Sequence, residues 1–70
     1  MKDQVKNALR SKRYTLKHLS DNMGCNYTHL SNVLNKQRFG SKSFIFLLCA
    51  TVNNMTGSTF TTNDFQEYMK

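Results

Sequence analysis

The stretch TLKHLSDNMGCNYTHLSNVLN, residues 15–35, limits the fold more than any other part of this chain. Leu16, Leu19 and Met23 recur at helical spacing, and Gly24 then interrupts them. A second set follows, with Leu30, Val33 and Leu34 on one stripe and Tyr27 a turn earlier. Apolar residues at i, i+3 and i+7 describe one face of a helix. Glycine directly after such a face supplies the left-handed residue that ends it. Thr15 and Asn26 each stand where an N-cap is wanted. The pattern therefore predicts two short helices on either side of a tight turn.

The flanks extend this to an all-α chain. Residues 2–13 place Val5, Ala8 and Leu9 on one stripe, with Asp3 in the first turn and Arg10, Lys12 and Arg13 in the last, as the helix dipole favours. Residues 35–43 are a polar, basic loop containing Gly40. From about Ser43 to Asn53, Phe44, Leu47, Leu48, Thr51 and Val52 fall at helical spacing, which predicts a fourth helix buried on most sides. The β-branched and aromatic residues of that segment also suit a strand, but its length favours the helix. Residues 56–61 read as a turn or a short extended piece. TTND at 61–64 reads as a capping box with Asp in place of Glu, opening a short last helix over 63–70. Seventy residues form a single domain, 1–70, with a small core.

Charge is unevenly spread. Residues 1–42 hold nine basic and two acidic side chains, a net +7, while residues 43–70 hold a net −1, which together give the formal +6. A field of this sign favours a polyanionic partner. The near-neutral segment 56–70 reads instead as packing or assembly.

Chemistry is sparse. His18 and His29 are the only histidines, and Cys25 and Cys49 the only cysteines, with no CxxC pair. Four metal ligands would have to converge by coincidence. The four carboxylates are scattered, and no glycine-rich phosphate loop occurs. The expectation is a protein that is not an enzyme, with no metal, no cofactor and no small-molecule ligand. The longest apolar run, residues 44–50, is too short to span a bilayer, and no signal-peptide pattern opens the chain. Two thiols in apolar surroundings suit a reducing cytoplasm better than a disulfide.

Residues 15–35 resemble the helix-turn-helix of the Cro and lambda-repressor family, through Leu19, Met23, Gly24, Cys25, Leu30 and Val33. The flanking layout extends the resemblance to about residues 2–55. Three positions depart from the family pattern: Ser20 stands for alanine, Leu16 for a phosphate-reaching glutamine, and Lys36 for glycine, with Asn35 able to take the left-handed turn instead.

The resemblance implies a compact four- to five-helix lambda-repressor-like bundle and a Cro-type repressor, one that binds double-stranded DNA sequence-specifically. It further implies a homodimer on a near-palindromic operator, in a bacterial or phage-infected bacterial cell. The base-reading residues would be Tyr27, Thr28, Ser31 and Asn32, with Asn32 suited to adenine. The backbone contacts would be Lys17, Asn26, Asn35, Lys36, Arg38 and Lys42. Phe60, Phe65, Tyr68 and Met69 would form the dimer interface. The alternative is a small protein-binding inhibitor or antirepressor on the same fold, suggested by the exposed Tyr27 and the aromatic tail.

Overall fold

The structure is a computed structural model that describes residues 2–69. It is an all-α bundle. Helix α1 spans Lys2–Ser11, α2 Leu16–Met23, α3 Tyr27–Leu34 and α4 Lys42–Thr56, and a 3-10 helix spans Thr62–Tyr68. Among the described residues there is no strand, only an isolated parallel bridge between Gly40 and Met69.

The core lies along α4. Ile45, Leu48, Cys49 and Val52 form its buried row, and α1, α2 and the 3-10 helix pack against it. Helix α1 contributes Val5 and Leu9, and α2 contributes Leu19 and Met23. Helix α3 packs on α2 and adds Leu30, Val33 and Leu34. The buried row of α4 differs from the expected one. Phe44 is half-buried and Leu47 is exposed, because the helix is rotated by about one residue to seat Ile45 and Cys49 inward. The helix is also longer than expected and is not buried on most sides: Ser41 caps it at one end, through a 3.1 Å bond from the Phe44 N–H, and Gly57 in the left-handed region at the other.

Three helix ends share one backbone solution. After α1, the Tyr14 N–H reaches the Leu9 carbonyl at 2.8 Å; after α2, Cys25 reaches Ser20 at 3.1 Å; after α3, Gln37 reaches Asn32 at 2.9 Å. This closure needs a left-handed residue just before its last donor. Gly24 supplies it after α2 at φ 71°, but Arg13 and Lys36 supply the others at φ 62°. A side chain in that region costs on the order of 1 kcal/mol. The expected α1 is thus shortened at Ser11, with Lys12 and Arg13 in its terminal turn. Asn35, expected to turn left-handed, stays at φ −86°, and Lys36 turns instead.

The C-terminal segment completes the core. Thr61 opens the 3-10 helix with its N–H donating to Asp64 Oδ2 at 2.9 Å, as the capping pattern predicts. The helix is 3-10 and not α, and Lys70 of the expected span lies outside the described residues. Phe65 and Tyr68 are fully buried, and Phe60 packs edge-on against Phe65 with ring centroids 5.8 Å apart. Several contacts hold the segment, among them a bond from the Cys49 thiol to the Phe60 carbonyl at 3.1 Å. The Asn53 carboxamide accepts from the Phe60 N–H at 2.9 Å and donates to the Phe60 carbonyl at 2.8 Å. The Gly40 N–H donates to the Tyr68 carbonyl at 2.8 Å. A Cβ on Gly40 would stand 3.0 Å from both Ile45 Cδ1 and Phe44 Cδ1, so a side chain there would have to push both aside by a few tenths of an ångström.

This placement corrects the expected dimer interface. Phe65 and Tyr68 are spent on the monomer core, and Phe60 and Met69 are half-buried against it. Phe65→Ala should therefore destabilise the fold by about 3–5 kcal/mol. Chemical denaturation checks this; a loss under about 1 kcal/mol would mean the aromatic does not fill the core.

Candidate functional site

Helix α3 is presented by α2 and the Gly24 turn. The α2 start is fixed reciprocally: the Thr15 N–H donates to His18 Nδ1 at 3.0 Å, and the His18 N–H donates to Thr15 Oγ1 at 3.3 Å. This capping box uses His where Glu or Gln is usual, so His18 has a structural task. Ser20 is buried and its hydroxyl donates to the Lys17 carbonyl at 2.9 Å, leaving α2 a small residue where α3 crosses.

Of the expected base-reading residues, Tyr27 and Thr28 are exposed, and Ser31 and Asn32 are half-buried. Tyr27 shares a concavity of about 300 Å³ with Thr15, Leu16 and Lys17. The expected backbone set divides. Lys17, Arg38 and Lys42 are exposed, and no carboxylate pairs with them among the described residues. Asn26 is consumed as the α3 cap, its Oδ1 accepting from the Thr28 N–H at 2.7 Å. Asn35 accepts from Lys2 Nζ and donates to Ser31 Oγ at 3.3 Å. Lys36 is paired with Glu67, Nζ to Oε2 at 2.7 Å. These three are occupied within the fold, which the sequence reading did not foresee.

A second concavity, of about 390 Å³, was missed by that reading. Lys6, Arg10 and Arg13 line it with Leu9, Tyr14, Thr15 and Leu16. The spacing of Lys6 and Arg10, one helical turn apart, was the available signal. The other reactive groups are structural. His29 packs edge-on against Phe44 at 4.8 Å. Burial pushes the Cys25 and Cys49 thiols above their ordinary values, the opposite of an activated nucleophile. Both are free, and no metal-holding cluster occurs among the described residues. No helix among these residues is long and apolar enough to cross a membrane.

Comparison with known proteins adds a different finding. The sequence model of the family described as aminotransferase class I and II matches residues 3–70, and the chain belongs to that family. No curated protein and no solved structure matches it. The match overturns the resemblance to the Cro and lambda-repressor family, and with it the readings as a Cro-type repressor and as an inhibitor or antirepressor. It also relates the chain to an enzyme family, where no enzyme was expected. The all-α bundle and the paired helices α2 and α3 stand.

Aminotransferase chemistry runs on pyridoxal phosphate, which needs a desolvated lysine for its imine, a carboxylate at its ring nitrogen and donors around its phosphate. The described residues do not fit it. Among the described residues no lysine is buried; the least exposed are Lys2 and Lys6, and Lys6 lines its concavity beside Arg10 and Arg13, with no carboxylate among the lining residues. Lys36 is pushed up by its hydrogen bond and charge pairing with Glu67, away from the direction a Schiff-base lysine needs. Asp3, Asp21, Asp64 and Glu67 are all exposed.

The Lys36–Glu67 pair carries a pH signature. Lys36 holds the Glu67 carboxyl below its ordinary value of 4.5. The resulting stabilisation is present above pH 4.5 and is lost as pH falls through the lowered folded value. Both groups are exposed, so the effect is small. Glu67→Gln should flatten the acid limb of thermal stability below pH 4.5 and leave the limb near neutrality unchanged in slope. Equal acid limbs in the two proteins would show that the pair contributes nothing in solution.

Proposed function

We propose that these residues form a non-catalytic module that binds the phosphate backbone of double-stranded DNA. What carries the reading is the group of unpaired cations Lys17, Arg38 and Lys42 around the exposed polar face of α3. Cations freed of intramolecular partners release counterions when they meet phosphates, which drives duplex binding without any sequence code. Lys17 and Tyr27 border one concavity, and the Arg38 N–H donates to the Asn32 carbonyl, so the basic loop is tied to the helix it flanks. Tyr27, Thr28, Ser31 and Asn32 lie against the groove in this reading and hold the module's orientation. The cytoplasm is the compartment that suits it, since both cysteines are free thiols.

Two experiments test the two halves of the reading. Duplex binding should weaken with salt, and Lys17→Ala and Arg38→Ala should each lower the slope of log K against log salt by about one unit. A wild-type chain with no duplex affinity at low salt would end the binding half. For the other half, the chain is treated with pyridoxal phosphate and then borohydride, and the labelled sites are mapped by mass. Label should spread over the exposed lysines. One lysine labelled stoichiometrically ahead of the rest would overturn the absence of catalysis.

A further inference from the structure

Three cations converge on the concavity of about 390 Å³ between α1 and the start of α2. Lys6 and Arg10 are one turn apart on α1, and the left-handed turn at Arg13 folds the chain back beside them. Leu9 and Leu16 supply an apolar lining. Tyr14 supplies an aromatic one, held edge-on to His18 with ring centroids 5.8 Å apart. No carboxylate lines the concavity, and among the described residues none pairs with the three cations.

Each of these features works against the stability of the fold. Like charges one turn apart destabilise a helix. Lys6 is half-buried with no anion beside it. Arg13 holds a left-handed position that glycine takes without strain, as Gly24 does after α2. After α3 the left-handed cation is Lys36, which has Glu67 opposite it, whereas Arg13 has no such partner. Unfavourable features that meet at one place point to a ligand that offsets them.

We propose that this concavity binds a short phosphate chain borne by a small molecule, with a nucleoside polyphosphate as the ligand that uses the whole of it. Arginine forks match phosphate oxygens two at a time, and Lys6 adds a point charge. Three cations exceed what a single carboxylate neutralises and suit two or more linked phosphates. The first turn of α2 enters at Thr15 and Leu16, where the positive end of its dipole adds to the field. Tyr14 offers a ring on which a base can stack. The volume lies within the range that small ligands occupy.

This inference does not rest on the duplex reading, and its test contains no DNA. The full chain, isotope-labelled, is titrated with adenosine triphosphate, inorganic triphosphate and adenosine while its amide resonances are followed. Both phosphates should shift residues 6–16 first, with dissociation constants of about 0.1–1 mM at low salt, and adenosine alone should not bind. Arg10→Ala and Arg13→Gly should each weaken triphosphate binding by about fivefold or more. Lys12→Ala removes a neighbouring charge that does not line the concavity and should change binding by less than about twofold. Arg13→Gly should also raise the melting temperature, because glycine relieves the left-handed position, so its lost binding is not lost folding. Tighter binding of adenosine triphosphate than of triphosphate, abolished in Tyr14→Leu, makes the ligand a nucleotide; equal binding of the two makes it a free phosphate chain. No binding of either phosphate at low salt overturns the proposal. Shifts spread over the whole basic surface, with Lys12→Ala as damaging as Arg10→Ala, overturn it as well.

Discussion

The buried row Ile45, Leu48, Cys49 and Val52 on α4 is the surface on which the rest of the bundle is assembled. Helices α1 and α2 and the 3-10 helix each lay their apolar residues on it. Helix α3 is placed mainly through α2 and the left-handed Gly24, with His29 against Phe44 as a direct contact to α4. A change in the roll of α4 would therefore move every other element, whereas a change on the exposed face of α3 would remain local. The polar face of α3 can vary in sequence without disturbing that support, because nothing in the core depends on Tyr27, Thr28 or Asn32.

Much of this architecture was legible because it is written in local chemistry. Thr15, Gly24 and Asn26 mark the ends of α2 and α3, and each does so through hydrogen bonds spanning only a few residues. What was not legible depends on distant partners. The rows through Leu47 and Leu48 satisfy the same helical period, and the elements packed on α4, namely α1, α2 and the 3-10 helix, decide that Ile45 and Cys49 turn inward. Asn35 looked free to turn left-handed, but its side chain is engaged by Lys2 and Ser31, and Lys36 takes the strained position. The same limit applies to the candidate contacts. The exposed face of α3 followed from its apolar spacing, whereas the loss of Lys36 to Glu67 joins residues far apart in the chain and leaves no mark in either segment.

The family match and the side chains describe different things. The match relates residues 3–70 as a sequence to a family of enzymes. The side chains determine what those residues can do by themselves, and they provide neither an enclosed lysine nor a carboxylate set against one. A fold hosts chemistry only where a site has been built on it.

The two hydrogen bonds from Asn53 to Phe60 impose a limit of another kind. They work because a carboxamide presents one donor and one acceptor side by side. Hydrolytic ageing of asparagine replaces that amide with a carboxylate, and asparagine is among the residues most prone to such damage. The Phe60 N–H would keep its acceptor, but its carbonyl would face a negatively charged oxygen in place of an N–H. The connection from Gly57 to Thr61 would then lose one of its clamps, and the Cys49 thiol, the Gly40 bridge and the Lys36–Glu67 pair would remain to hold the segment that carries Phe65 and Tyr68. Ageing of one side-chain amide thus loosens one tether of the segment that closes the core.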